Sequence, residues 1–260
     1  MKRVVFNQKG GVGKSSISVN LAAISAQQGY KTLLVDLDVQ GNSSHYLGFE
    51  EGQDQPTVAD LFKQSVGWLN RGASPQEFVY ETEVEGLCLL PASSALAAIE
   101  RDLESRYKIF KLRDALDTLS QEFERIYIDT PPNFNFYSKS ALIAADSVLI
   151  PFDCDSFSAQ AIERLLDNVL ELKSDHNPKL QLEGIIVNQF NPQARLPRAL
   201  VDELKQRELP VFEAMLTSSV KMRESHQLQQ PLIQLAPKHK LTEQLLALYH
   251  ELESDALVSA

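Results

Sequence analysis

The stretch that most constrains this chain lies near its start. Val4, Val5 and Phe6 are followed by Gly10, Gly11 and Gly13, and then by Lys14, Ser15 and Ser16. Three apolar residues in a row read as a short buried strand. Past the serines, Ile17, Val19, Leu21, Ala22 and Ile24 carry a helical pattern. A strand that runs through glycines directly into a helix leaves few architectures open. The glycines let successive backbone N–H groups curl into a concave nest, and the helix start adds partial positive charge. Such a nest is a phosphate cradle when strand, loop and helix come in this order. Gly10, Gly11, Val12, Gly13 and Ser16 then line the phosphates, Lys14 reaches the β- and γ-phosphates, and the Ser15 hydroxyl binds Mg²⁺. The alternative, a glycine-rich turn with two surface lysines, leaves the agreement of strand, loop and helix unexplained.

The general phosphate-loop pattern, G-x-x-x-x-G-K-[ST], asks for glycine at position 8, where this chain has Gln8. It offers K-G-G-V-G-K-S instead, with a second lysine, Lys9, inside the loop. That variant resembles the deviant Walker A motif of the ParA/MinD group of ATPases. The resemblance implies an α/β fold of three layers, a mostly parallel twisted sheet with helices on both faces, in a single domain over residues 1–260. It also implies a homodimer that sandwiches two ATP molecules, with Lys9 reaching the partner's nucleotide as an arginine finger does elsewhere.

Later segments carry the same resemblance. Lys31 to Asp38, KTLLVDLD, reads as a second strand with Asp36 and Asp38 at its C-terminal end, where open parallel sheets build their sites. DLDVQGN is similar to the family's D-x-D-P-Q-G-N segment, with Val39 in place of proline. The resemblance assigns Asp38 to the attacking water and Asp36 to water-mediated support of Mg²⁺. The bland alternative is that both acids cap a loop. Arg125 to Pro132, RIYIDTPP, is a buried strand ending in Asp129 and resembles the family's Walker B segment; a carboxylate there holds the Mg²⁺ shell, through water. LEGIIVN is a further strand ending in Asn188, which the resemblance assigns to the adenine ring. In the segment around residue 217 the family's Ile-Pro-Arg is replaced by Leu216-Thr217-Ser218, so Thr217 is the residue left at the adenine.

Between these anchors, residues 42–86 are polar and irregular, with Thr57 placed to cap a short helix through Phe62. Leu87–Leu90 is another strand, and Ala95 to Gln121 reads as a surface helix pair. Ser147–Pro151 is a central strand, Gln160–Leu172 an amphipathic helix, and Thr242–Leu257 the last one. Phe134, Phe136 and Tyr137 either pack on a neighbouring helix or reach a dimer or partner surface. Trp68 reads as packing. Cys88 and Cys154 are far apart and read as small buried hydrophobes; their spacing does not suit a cluster shared between subunits, as in nitrogenase iron protein.

Charge bears on the choice of partner. The chain carries a net charge of -10, so nucleic-acid binding requires a local basic patch. Lys221 and Arg223 fall where DNA-binding ParA proteins show basic residues, and Arg195 and Arg198 are the other candidates; a solvated mixed-charge face is the alternative for all four. The last helix has Glu243, Glu251, Glu253 and Asp255 and no Lys or Arg after Lys240. An acidic helix is repelled by anionic lipid, which argues against membrane docking of the MinD kind. MKRVVF enters a strand at once, which leaves no room for a signal peptide.

These expectations combine into a Mg²⁺- and ATP-dependent dimerising ATPase, cytoplasmic and nucleoid-associated. It would bind non-specific DNA, partition or position cargo, and be stimulated by a ParB-like or cargo-adaptor partner. The alternative is an ATP-switched scaffold or regulator without partner-stimulated turnover. With no helix-turn-helix segment ahead of the loop in this sequence, the expected likeness is to the short members of the group.

Overall fold

The computed structural model describes residues 1–52, 55–64, 72–153 and 159–258; Trp68 and Cys154 lie outside them. Among the described residues seven strands form one sheet: β1 (Lys2–Val5), β2 (Thr32–Asp36), β3 (Tyr80–Glu81), β4 (Leu87–Leu90), β5 (Arg125–Asp129), β6 (Ser147–Asp153) and β7 (Gln181–Asn188), in the order β3-β4-β2-β5-β1-β6-β7. All neighbouring pairs are parallel except β3 with β4. The helices are α1 (Lys14–Gln27), α2 (Asn42–Tyr46), α3 (Val58–Lys63), α4 (Leu96–Ser105), α5 (Lys111–Leu119), α6 (Phe136–Ala144), α7 (Ala159–His176), α8 (Arg195–Gln206), α9 (Val220–Gln227), α10 (Leu232–Leu235) and α11 (Lys240–Val258).

Successive strand side chains point to opposite faces, and the sequence fills both. Val4, Leu33, Val35, Ile126, Ile128, Val148 and Ile150 enter one core with α3 to α8. Val5, Leu34, Tyr127, Leu149 and Ile186 enter the other, with α1, α2 and α9 to α11. Both faces being covered is why the strands read as near-continuous apolar runs. The expected three-layer architecture is therefore the observed one.

Several local expectations sharpen. Thr57 caps α3 through a capping box in which the Asp60 carboxylate accepts from the Thr57 backbone N–H at 2.9 Å. The surface helix pair is α4 and α5, parted at Tyr107, whose φ of 54° is left-handed. Phe136 and Tyr137 are buried on α6 against Phe62, so of their two readings the packing one holds; Phe134 is half-buried, 5.9 Å from the Phe6 ring. Among the described residues of the polar stretch 42–86, α2 and β3 are elements that its polarity does not suggest. Alpha11 buries Leu241, Leu245, Leu248, Tyr249 and Leu252. Two of its acids are structural: Glu253 pairs with Arg3 and Arg125 at 2.7 Å each, and Glu251 accepts from the Glu213 and Ala214 N–H groups. Among the described residues no helix is long and apolar enough to cross a membrane.

Candidate nucleotide site

Beta1 is central in the sheet, and the loop after it, residues 6–13, leads into α1. The loop is braced from several elements. Asn7 donates to the Pro151 carbonyl at 2.7 Å and accepts from the Lys9 N–H at 3.0 Å. Asn188 Nδ2 donates to the Val12 carbonyl at 2.9 Å, and Gln189 Nε2 to the Gly11 carbonyl at 3.1 Å. Gly13, with φ 91°, caps α1 and supplies no side-chain acceptor to its first turn. Among the described residues no side chain caps the start of this 14-residue helix, which leaves the loop end of α1 a ready anion site. Gly13 is required for two reasons: a left-handed backbone, and an Asn188 amide that would stand 2.2 Å from any Cβ placed there.

Lys14 is buried, and its Nζ donates to the Lys9 carbonyl at 2.9 Å, inside the curl of the loop. Burial lowers its pKa, while the charges of Asp129 and Asp38 oppose that shift. The loop, Lys14, Ser15, Asp38 and Pro132 surround a cavity of about 350 Å³. A second cavity of about 430 Å³ shares Gly11, Gly13 and Ser16 and extends past Asn188 and Thr217 to Leu216, Met222 and Arg223. Together they run from the loop and Asp38, where phosphates would lie, to Asn188, Thr217 and Leu216, where a base would lie.

The acids sit at the C-terminal edge of adjacent strands. Asp36 on β2 and Asp129 on β5 are register partners, both fully buried. Asp129 Oδ2 accepts from the Ser43 hydroxyl at 2.7 Å, whereas Oδ1 is buried with no hydrogen-bond partner among the described residues. An orphaned carboxylate oxygen next to Ser15 is what a Mg²⁺ shell would satisfy, so this donor set fits the ion. Burial pushes the Asp129 carboxyl up to about 6, against the hydroxyls of Ser15 and Ser43 and the charge of Lys14.

Asp36 makes the contacts of the second of its two expected roles. Its Oδ1 accepts from the Asp38 N–H at 3.0 Å, and its Oδ2 from the Ser44 N–H and hydroxyl at 2.8 Å each. Both oxygens are thus committed to bracing the Asp38 turn and α2, and the loop-holding alternative is the one the geometry supports. Burial, then the Asp129 charge, push its pKa up to about 8. Asp38 itself is 7% exposed and lines the phosphate-end cavity, with Oδ1 held by the Gln40 N–H at 3.0 Å.

Asn188 and Thr217 both line the second cavity, with qualifications. The Asn188 amide nitrogen is engaged by the loop backbone, and the Thr217 N–H and hydroxyl both donate to Gln244 Oε1, at 3.1 and 3.0 Å. Lys9 is half-buried in the loop after β1. The four basic candidates divide. Arg195 and Arg198 are exposed on α8 and make no ion pair among the described residues. Lys221 is paired with Glu224 at 2.5 Å, and Arg223 is exposed at the base-end cavity. Sequence reasoning missed Ser43, Ser44, Tyr46 and His226. His226 reaches the Ser16 hydroxyl at 2.9 Å from 210 residues away.

Residues 2–182 match the family described as AAA domain. The chain is 35% identical to the chromosome partitioning protein ParA of Myxococcus xanthus, over 95% of this chain and 86% of that one. It is 31% identical to the sporulation initiation inhibitor protein Soj of Bacillus subtilis, over 96% and 97%. The chain belongs to the ParA/MinD family of P-loop ATPases. Among solved structures, apo McdA of Cyanothece superposes with a TM-score of 0.85 at 23% identity, covering 96% of this chain and 98% of that one, a likeness of fold. Cobyrinic acid a,c-diamide synthase of Mycobacterium smegmatis, solved with an ATP analogue and magnesium, gives 0.77 at 26% identity over 92% and 97%.

Proposed function

We propose that this ParA/MinD-family protein is a Mg²⁺-dependent ATPase that switches between nucleotide states to partition or position a cargo. The observation that carries the reading is the meeting of four features: the open start of α1, the buried Lys14 amine, Asp38 and the unpartnered oxygen of Asp129. Gly10 to Ser16 cradle the phosphates of ATP, and Lys14 offsets charge on the transferred phosphoryl group. Ser15 and Asp129, the latter through water, hold Mg²⁺, which neutralises charge on the β- and γ-phosphates. Asp38 orients the attacking water and accepts its proton. Asn188 and Thr217 flank the base. Lys9 completes the site of a second subunit in an ATP-dependent homodimer.

The dimer binds non-specific DNA, which makes the protein cytoplasmic and nucleoid-associated, and a ParB-like or cargo-adaptor protein accelerates hydrolysis. Arg195 and Arg198 are better placed for phosphate neutralisation than Lys221, whose charge Glu224 offsets, or Arg223, which faces the base-end cavity. The experiment is retention on non-specific double-stranded DNA with ATP, with ADP and without nucleotide, at low and moderate salt. Retention with ATP alone, lost as salt rises and lost in Arg195→Glu/Arg198→Glu, is the expected result. Absence of retention in every state, with ATP-dependent dimerisation intact, would remove the DNA component and favour a switched scaffold.

A further inference from the structure

Helix α9 carries two of the basic candidates, Lys221 and Arg223, yet its inner face is tied to the nucleotide site by polar contacts. His226 Nε2 lies 2.9 Å from the Ser16 hydroxyl on the first turn of α1. The His226 ring stacks on Tyr46 of α2, with centroids 3.9 Å apart and planes inclined by 23°. The Tyr46 hydroxyl meets the Ser225 hydroxyl at 2.5 Å and accepts from Asn20 Nδ2 of α1 at 3.1 Å. Ser225 in turn donates to the Met222 carbonyl at 2.9 Å. Alpha2 is itself anchored to the acids, through Ser43 on Asp129 and Ser44 on Asp36. Alpha9 is thus pinned to both halves of the phosphate site, the loop helix and the acid-bearing strand ends.

The chemistry of the Ser16 contact gives this a direction. Burial, then the nearby His45, lower the His226 pKa, so the ring is neutral and carries one N–H. A serine hydroxyl has a single proton. When Ser16 gives that proton to a phosphate, Nε2 must be the protonated nitrogen and must donate; when Ser16 gives it to Nε2, the hydroxyl is turned away from the phosphate.

We propose that His226 is a positioning residue for the phosphate loop: by donating to the Ser16 hydroxyl it aims that hydroxyl's proton at a bound nucleotide phosphate, and so couples loop occupancy to the placement of α9. This rests on the nucleotide reading above. Ser16 is the contact to phosphate; His226 acts through it. Because α9 also carries Lys221 and Arg223, a fixed α9 also fixes Lys221 beside Glu224 and Arg223 at the base-end cavity.

The test uses the full-length chain and its variants. Mg-ATP affinity and amide hydrogen exchange over residues 220–227, with and without Mg-ATP, are measured for the parent, His226→Phe, His226→Gln and His226→Ala. Phenylalanine keeps the stack on Tyr46 and removes the donor; glutamine restores a donor near the Nε2 position. Loss of one hydrogen bond to the loop weakens Mg-ATP binding roughly 3- to 10-fold. The expected pattern is that loss in His226→Phe and His226→Ala, with Mg-ATP no longer protecting residues 220–227, and near-parent values in His226→Gln. In a Ser16→Ala background His226→Phe should have no further effect. A His226→Phe protein that binds Mg-ATP and protects α9 as the parent does, or an additive effect in the Ser16→Ala background, would overturn the inference alone. A parent that binds no Mg-ATP would overturn the nucleotide reading and this inference with it.

Discussion

Gly13→Ala tests the packing of the phosphate loop in a way that can be worked through in advance. Two costs are separable. Forcing alanine to a φ of 91° costs roughly 1–2 kcal/mol. Its Cβ would also stand 2.2 Å from Asn188 Nδ2, so the Asn188 side chain must leave. Its 2.9 Å bond to the Val12 carbonyl is then lost, which costs about 0.5–1.5 kcal/mol. Gly13→Ala should therefore destabilise the parent by about 1.5–3.5 kcal/mol, the sum of the two. With Asn188→Ala already in place only the backbone cost persists, so the same change should cost about 1–2 kcal/mol. The assay is urea unfolding of the parent, both single variants and the double variant, with the m-value checked for constancy. Equal costs in the two backgrounds, within about 0.3 kcal/mol, would refute the claim that Asn188 packs directly over Gly13.

Three further outcomes follow from the same geometry. Asp38→Ala should retain Mg-ATP binding while single-turnover hydrolysis falls by about 100-fold or more, and hydrolysis at the parent rate would remove Asp38 from the water's path. Asp36 has a folded-state pKa of about 8 against an ordinary 3.8, so its stabilising contribution is complete below 3.8 and is lost as pH rises through about 8. Without Mg²⁺, the parent should lose stability relative to Asp36→Asn across that window in urea titrations, and parallel pH profiles would contradict the assignment. Arg3 is buried between Glu183 and Glu253 at 2.9 and 2.7 Å, and Glu253 also has Arg125, so Arg3→Met should cost roughly 3–5 kcal/mol chiefly by leaving the Glu183 carboxylate without a cation; a urea midpoint change worth under about 1 kcal/mol would show that Glu183 rehydrates.

The parts of the site that were legible in the sequence are those that sit where a strand ends. Asp38, Asp129 and Asn188 each follow an apolar run, and a parallel sheet collects such ends along one edge. The glycine loop was legible because its backbone demands are local. The bracing was not. Ser43 and Ser44 lie in a polar stretch with no periodicity, and their role comes from facing two buried carboxylates. Alpha9, VKMRESHQ, has no apolar stripe because its inner face is Met222, Ser225 and His226, satisfied by hydrogen bonds and a ring stack. Hydrophobic pattern cannot report a helix that is held by polar contacts to residues some 200 positions away. The sequence leaves both readings of Asp36 open for a related reason: its place at a strand end is visible there, while the three donors that occupy it are not.

The measurement that bears most directly on the central claim is phosphate release from ATP by the purified protein with Mg²⁺, with EDTA, and in Lys14→Met. Slow release that needs Mg²⁺ and vanishes in Lys14→Met is the predicted result. Release that survives EDTA or the Lys14 substitution, or no release by a parent that binds Mg-ATP, would contradict the reading of this site as an ATPase.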